Sequence, residues 1–328
     1  MMRASKSGKK REESRGRHPM DKIFDVVALG EGMVEFNQTK AGQPAYLQGY
    51  GGDTSNAVIA AARAGARCAY LTRVGGDAFG QSLLALWSGE GIDTTGIEKD
   101  ADHPTGVYFV THGTSGHEFS YLRANSAASR MTPSWLHGEK VKGILPASKI
   151  LHLSGISLAI SSGACDTAFA AMQLARASGA LVSFDANLRL KLWPLARARA
   201  CITEAVSMSD IFLPSLEDAV SLCGLDEPDQ IIDWSHTRGA TAVVLKLGSG
   251  GALASDGTRR ERIASHPVKL VDATGAGDCF SGNLLARMAQ GASLFEAARY
   301  ANAAAALAIQ GFGAVAPLPR PDAVRALL

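Results

Sequence analysis

One segment of the chain combines two glycines and a carboxylate where a helix is predicted to begin. It reads DATGAGD over residues 272–278. Residues 266–270 predict a strand before it, and apolar residues recur at helical spacing after it. The unpaired N–H groups and the dipole at the start of such a helix form a site for an anion such as a phosphoryl group. Asp278 in the first turn either stabilises the dipole or takes a proton from a hydroxyl that attacks the phosphate.

A second set of polar side chains follows a predicted buried strand. Asn187, Arg189 and Lys191 alternate with leucines, so an extended chain would place these polar groups on one face. A guanidinium on that face suits a planar carboxylate, and the alternative is a solvated loop edge.

Residues 105–123 add aromatic and basic side chains to this picture. Tyr121 and Arg123 are two residues apart, so they share a strand face, and Tyr108 lies in the neighbouring strand of a predicted hairpin. Together they could hold a carboxylate ligand, although aromatic residues are also common in ordinary hairpins.

The elements that must position these groups alternate between strands and helices. Strands are predicted at 23–29, 67–73, 149–153, 180–184, 210–213 and 242–247, and helices at 54–64, 78–90, 166–177 and 195–208. This alternation predicts an α/β fold with a mostly parallel sheet, whose sites lie at the carboxyl ends of the strands. Residues 33–50 and 105–123 break the alternation and predict a small antiparallel β lid.

Composition excludes several classes of protein. The chain has 328 residues, 46% of them apolar and 20% charged, and no run approaches the ~18 apolar residues of a membrane helix. Residues 1–20 carry a net charge of +5 and the remainder −3, which argues against nucleic acid as a partner of the body. Five cysteines without a C-x-x-C pair, and no export signal, predict reduced thiols in the cytoplasm.

The tail at residues 1–20 is predicted to be disordered, because it is basic and lacks apolar periodicity. It could touch RNA or a membrane surface, or it could be a solvated appendage. Translation could begin at Met1 or at Met20, since a strand-like run follows the second methionine.

Two motifs together resemble the ribokinase-like (PfkB-type) carbohydrate kinases. They are GGDTSNAVIAAARAG at 51–65 and DATGAGDCFSG at 272–282. The resemblance implies one kinase domain over residues 21–328, with a doubly wound, mostly parallel sheet and a β lid. It also implies ATP-dependent phosphoryl transfer to a sugar hydroxyl. Asp278 would be the catalytic base, and the amides of Gly275, Ala276 and Gly277 would hold the charge developing on the γ-phosphate.

On the nucleotide side, the resemblance implies contacts with ATP from the strand end and glycine loop at 246–251 and from the helix at 301–309. The residues concerned are Lys246, Gly248, Ser249, Gly251, Gly275, Gly277, Asn302 and Ser215. The family usually carries N-x-x-E after a middle strand to organise Mg²⁺ and phosphate. Here Ser215 replaces the Asn and Asp218 stands at the Glu position, so Asp218 is the candidate metal ligand. A requirement for K⁺ beside Mg²⁺ is left open.

On the substrate side, the D-x-N-x-R-x-K-L-W and Y-x-R stretches resemble the 2-keto-3-deoxygluconate kinases of this family. The implied sugar contacts are Gly52, Asn56, Tyr108, Tyr121, Arg123, Asn187, Arg189 and Asp278. The partners expected are therefore a small acidic sugar and ATP, and the lid edges could pair with a second subunit. The alternatives are a fructokinase or other keto-sugar kinase, and a catalytically silent sugar- or nucleotide-binding regulator.

Overall fold

The computed structural model describes residues 22–113 and 116–328. The disordered tail predicted for residues 1–20 and the start at Met20 lie outside the described residues. In chain order the strands are β1 (Phe24–Leu29), β2 (Met33–Gln38), β3 (Tyr46–Gly51), β4 (Cys68–Leu71), β5 (Arg73–Gly75), β6 (Glu98–Asp100), β7 (Val107–Gly113), β8 (Gly116–Leu122), β9 (Ser148–Ser154), β10 (Leu181–Asp185), β11 (Ile211–Phe212), β12 (Ala242–Lys246), β13 (Ala252–Ser255) and β14 (Arg260–Ile263). The helices are α1 (Asp53–Arg63), α2 (Ala78–Gly89), α3 (Gly155–Ala159), α4 (Ser162–Ala177), α5 (Leu195–Ser207), α6 (Leu216–Cys223), α7 (Pro228–Thr237), α8 (Ala276–Ala289), α9 (Leu294–Ala308) and α10 (Pro321–Leu327).

An eight-stranded sheet in the order β14-β13-β12-β11-β10-β9-β1-β4 forms the centre of the fold. The six strands from β12 to β4 pair in parallel, and β13 and β14 are antiparallel additions at one edge. The mostly parallel doubly wound sheet predicted from the sequence is confirmed. Because parallel strands are covered on both faces, they read as nearly continuous apolar runs, and residues 26–29 of β1 are all buried.

The apolar core is divided into two layers by this sheet. Val26 and Ala28 of β1 face the layer that contains α1, α8 and α9, and Val27 and Leu29 face the layer that contains α4 and α5. Because successive side chains of a strand point to opposite faces, β1 contributes apolar residues to both layers. In the part of the chain described here, no helix is long and apolar enough to cross a membrane.

The lid is a separate four-stranded sheet in the order β3-β2-β7-β8. Each of the two predicted excursions forms an antiparallel pair, and β2 and β7 join the pairs in parallel. The lid sheet is therefore mixed: its central pair is parallel and the outer pairs are antiparallel.

The strand predicted at 266–270 is wrong. This segment has no regular secondary structure, and Leu270 is 63% exposed. Val268 and Leu270 are spaced as in a strand, yet β14 forms the sheet edge and no further strand of the described residues pairs with it. The helix predicted after the DATGAGD segment is present as α8.

Candidate active site

A cavity of about 890 Å³ lies between the lid and the carboxyl ends of the parallel strands. Tyr108, Tyr121 and Arg123 line it from the lid, and Asp185, the last residue of β10, lines it from the central sheet. The position agrees with the rule for parallel sheets, because strands of one direction end at one edge.

The start of α8 forms one wall of the cavity. Gly275 caps the helix with φ 75°, in the left-handed region that favours glycine. A Cβ at Gly275 would stand 3.0 Å from the Cβ of Ala314, so the loop around Ala314 fits against a bare backbone. Asp272 fixes the preceding turn by accepting hydrogen bonds from the Thr274 amide at 2.9 Å and from the Gly313 amide at 2.9 Å. The first amides of the helix are thereby held at the cavity wall.

Asp278 lies in the first turn of α8, and its carboxylate reaches α1. Nδ2 of Asn56 donates to Oδ2 of Asp278 at 2.8 Å. Burial raises the pKa of Asp278 to about 7, and the negative charges of Asp53 and Asp185 act in the same direction, while the Asn56 hydrogen bond and Lys246 oppose them. A carboxylate with this pKa can accept a proton near neutral pH.

The two motifs meet because α1 and α8 pack closely. A Cβ on Gly282 would collide with the carbonyl oxygen of Ala57, so the helices approach each other at a glycine. Asn56 is 4% exposed, and its Oδ1 is buried with no hydrogen-bond partner within the described ranges. An unsatisfied acceptor of this kind, beside a cavity, suits a hydroxyl group of a ligand.

Hydrogen bonds cross the floor of the cavity between elements distant in sequence. Nδ2 of Asn187 donates to Oδ2 of Asp53 at 2.9 Å, and the ammonium of Lys246 lies 2.5 Å from Oδ2 of Asp185. Ser281 also donates to that Asp185 oxygen, at 3.0 Å. Asp53 and Asp185 were not predicted as site residues, although each lies at the end of a predicted element beside a glycine- or asparagine-containing motif.

The prediction that residues 187–192 alternate between two faces is wrong. Asn187 has φ 30° and a turn closes between Arg189 and Leu192, so the segment is not extended. Leu188 is buried whereas Leu190 is 54% exposed. Arg189 and Lys191 nevertheless both line the cavity and are exposed. Nη1 of Arg189 donates to the carbonyl of Leu188 at 2.9 Å.

Two buried carboxylates that were not predicted as site residues contact the lid side chains of the cavity: Glu35 belongs to β2, and Glu31 lies between β1 and β2. Tyr108 donates to Oε2 of Glu35 at 2.5 Å and stacks on Tyr121 with ring centroids 5.7 Å apart. Arg123 forms a buried ion pair with Glu31, its Nε donating at 2.9 Å. The charge of Arg123 is therefore already balanced by a protein carboxylate. The Gly-Glu-Gly sequence at 30–32, directly after β1, was the available signal for Glu31.

The predicted nucleotide-side residues divide into two groups. The residues that line the cavity are Ser215, Asp218, Lys246, Gly248, Ser249, Gly275 and Gly277. Gly251 and Asn302 are not among its lining residues. Asn302 instead donates to the carbonyl of Ala264 at 2.7 Å, and a Cβ on Gly251 would collide with the carbonyl of Ile263, so both residues border the chain after β14.

Asp218 is the one predicted metal ligand, and it lies near the charged side chains of Asp185 and Arg189. The Ser215 hydroxyl accepts the Asp218 amide at 3.1 Å and caps α6. Burial and the nearby Asp185 raise the pKa of Asp218, whereas Arg189 lowers it. In the described part of the chain no three His, Cys, Asp or Glu residues form a metal cluster. Mg²⁺ usually keeps several waters and takes one or two carboxylates beside substrate phosphates, so one carboxylate at this wall is compatible with it.

The pattern that defines the pfkB family carbohydrate kinases matches residues 22–321. The chain belongs to the pfkB family of carbohydrate kinases. Its relatives include 2-dehydro-3-deoxygluconokinase of Thermoproteus tenax, 32% identical over 96% of this chain and 97% of that protein. Probable fructokinase-7 of Arabidopsis thaliana is also 32% identical, over 92% of each chain.

Solved structures of pfkB-type kinases share the fold. A putative ribokinase II from E. coli, in complex with ATP and Mg²⁺, is 28% identical with a TM-score of 0.84, over 92% of this chain and 98% of that chain. A double mutant of Vibrio cholerae O395 fructokinase, with fructose, ADP and potassium ion bound, is 29% identical with a TM-score of 0.83, over 94% and 99%. The ribokinase-like fold and ATP-dependent kinase class implied by the two motifs are confirmed.

Proposed function

We propose that this pfkB kinase phosphorylates the terminal hydroxyl of 2-dehydro-3-deoxy-D-gluconate, giving the 6-phosphate and ADP. The observation that carries the proposal is a single cavity that holds both the Asp278–Asn56 pair and the exposed cations Arg189 and Lys191. The first pair suits a hydroxyl that is to be deprotonated. The cations suit the carboxylate at the other end of an acid sugar.

The reaction needs positioning and charge stabilisation more than covalent chemistry by the protein. The sugar hydroxyl oxygen attacks the γ-phosphorus of ATP, and its proton passes to Asp278. The bond from the γ-phosphorus to the bridging oxygen breaks, and its electron pair leaves with ADP. The amides of Gly275, Ala276 and Gly277 face the charge that develops on the transferred group.

The other predicted residues support these steps. Gly52 and Asn56 lie at the start of α1, where the Asn56 oxygen is free to accept a second sugar hydroxyl. Tyr108 and Tyr121 close the cavity from the lid. Asp218 would hold Mg²⁺, which when bound supplies positive charge to the nucleotide phosphates. Ser249 and Gly248 lie in the loop proposed to face the nucleotide.

A fructokinase activity is the second candidate, and a specific observation favours it. Glu31 balances Arg123, which removes one of the cations predicted to bind a carboxylate. A neutral keto sugar has no carboxylate and therefore does not need an unpaired cation in the cavity.

The test is ADP release from Mg-ATP with 2-dehydro-3-deoxygluconate, fructose, ribose or no sugar, each with and without K⁺. Turnover with the acid sugar alone would support the proposal. Turnover with fructose at similar kcat/KM would support the second candidate and discard the carboxylate pocket. If protein that binds ATP releases no ADP with any of these sugars, the result would favour a catalytically silent sugar- or nucleotide-binding regulator.

A further inference from the structure

Two cysteines on neighbouring helices have their thiols next to each other. Cys165 lies in the first turn of α4, and Cys201 lies in the middle of α5. Their side chains are close enough to share a hydrogen bond, and both pack in the apolar layer that contains these helices. One turn earlier in α5, Nη2 of Arg197 donates to the hydroxyl of Ser162 at 3.1 Å. Helices α4 and α5 therefore lie side by side here, with the two sulfur atoms between them.

The two thiols differ in their access to solvent. Cys165 is 6% exposed, whereas Cys201 is half-buried. Burial raises the pKa of the Cys165 thiol, and the neighbouring Cys201 and Asp166 act in the same direction, while Arg197 opposes them. Cys201 is therefore the thiol that a small oxidant in solvent reaches first, and Cys165 lies beside it as a second thiol.

Helix α5 is also packed against the segment that forms one wall of the cavity. A Cβ on Gly155, the first residue of α3, would stand 3.2 Å from Cδ1 of Ile202 and would collide with the carbonyl oxygen of Ala186. Ile202 follows Cys201 in α5, and Ala186 precedes Asn187, which lines the cavity. Because these segments meet at a glycine without spare volume, we expect a shift of α5 to move the cavity wall.

We propose that Cys165 and Cys201 form an oxidation site, at which a peroxide joins α4 to α5 by a disulfide and thereby weakens sugar binding. The thiolate of Cys201 attacks one oxygen of hydrogen peroxide, the O–O bond breaks, and the departing hydroxide takes up a proton to become water. The sulfur of Cys165 then attacks the sulfenic acid on Cys201. An S–S bond forms, the S–O bond breaks, and the hydroxide leaves with the Cys165 proton as a second water. The two sulfur atoms together give two electrons to the peroxide, and a thiol reductant reverses the bond.

The disulfide changes the distance between the helices. Its sulfur atoms are about 2.05 Å apart, closer than two separate thiols can come, so the bond must draw α4 and α5 together. The packing at Gly155 passes this movement to the cavity wall at Asn187. The proposal does not depend on which sugar the kinase takes.

Peptide mapping of the full chain after treatment with hydrogen peroxide tests the chemistry without an activity assay. Digestion with trypsin and a glutamate-specific protease places Cys165, Cys201 and Cys223 in three different peptides. We expect a cross-link between the peptides of Cys165 and Cys201 that dithiothreitol reverses. Oxidation of Cys201 to a sulfinic acid, with Cys165 still open to alkylation after unfolding, would overturn the proposal.

Steady-state kinetics test the effect on the cavity. In cross-linked protein the KM for the sugar that the enzyme turns over should rise about fivefold or more, the lower end of coupling between two sites, and dithiothreitol should restore it. C201S should not respond to peroxide. C223S is the matched control, since Cys223 is half-buried in α6 and donates to the carbonyl of Ala219 at 3.0 Å, and it should respond as the unmodified enzyme does. An unchanged KM in fully cross-linked protein, or an equal rise in C201S, would overturn the proposal.

Discussion

Replacing Asp278 with Asn should slow the enzyme and stabilise the protein at the same time. The folded protein raises the pKa of this carboxyl from 3.8 to about 7, whereas the unfolded chain ionises near the lower value. Between these pH values the folded protein keeps a proton that the unfolded chain has lost, so folding stability falls as the pH rises. The difference of about three pKa units corresponds to about 4 kcal/mol at 1.36 kcal/mol per unit.

Partial contact with water in the cavity reduces this figure. We expect D278N to be more stable than the unmodified protein by about 2–4 kcal/mol at pH 8 and by less than about 2 kcal/mol at pH 5. Its kcat should fall by about 10²–10⁴, the range for loss of a general base. The hydrogen bond from Asn56 is retained, because the amide oxygen of the new side chain can accept it.

Urea denaturation at pH 5 and pH 8, followed by tryptophan fluorescence, measures the difference in the free energy of unfolding. D226N is the matched control, since it removes the charge of an exposed aspartate in the segment before α7. A stability difference for D278N that is absent or equal at the two pH values would refute the raised pKa. Near-normal turnover would refute the role of Asp278 as base.

Three further results are expected. First, kcat/KM should rise about tenfold from pH 6 to pH 8 as Asp278 ionises, and D53N should move this limb to lower pH because it removes a neighbouring negative charge. Second, G275A should lose about 1–2 kcal/mol in urea denaturation, since φ 75° is strained for alanine, and its kcat should fall as the α8 amides shift. Third, R189M should raise the KM for the acid sugar about 10–100-fold, as for loss of a charge-assisted hydrogen bond, and leave the KM for fructose unchanged in steady-state assays. A pH profile flat from 6 to 8, a G275A protein of normal stability, or equal KM changes for both sugars would each contradict the corresponding prediction.

The fold could be predicted largely because its strands are buried on both faces. An apolar run such as residues 26–29 can be identified as a buried strand from the local sequence alone. The helices between such runs are identified by apolar residues that recur at helical spacing. The edge of the sheet was less predictable. Residues 266–270 have apolar residues two apart at Val268 and Leu270, whereas β14 is Arg-Glu-Arg-Ile, yet only β14 has a strand partner, which the local pattern does not encode.

The candidate site was predictable where its residues belong to a contiguous motif. The segment at 272–278 indicated the helix start, the two glycines and the carboxylate together, and the structure adds that Gly275 is left-handed. The ion pairs were not predictable, because Glu31 and Arg123 are separated by 92 residues and Asp185 and Lys246 by 61. Their effect is large, since one pair removes a cation from the predicted carboxylate pocket and the other fixes a cation beside the predicted phosphate site.

The hydrogen bond between Asn56 and Asp278 has a consequence for biosynthesis. The two residues are 222 positions apart, and each is held by a helix that packs on the other. At a synthesis rate of about 5–20 residues per second, the ribosome makes Asp278 about 10–45 s after Asn56. During that interval α1 has no α8 against which to bury the face around Ala57 that meets Gly282. If Asp278 is the base, as proposed, the growing chain cannot transfer phosphate until its last sixth is made. A product truncated before α8 would leave this face of α1 uncovered.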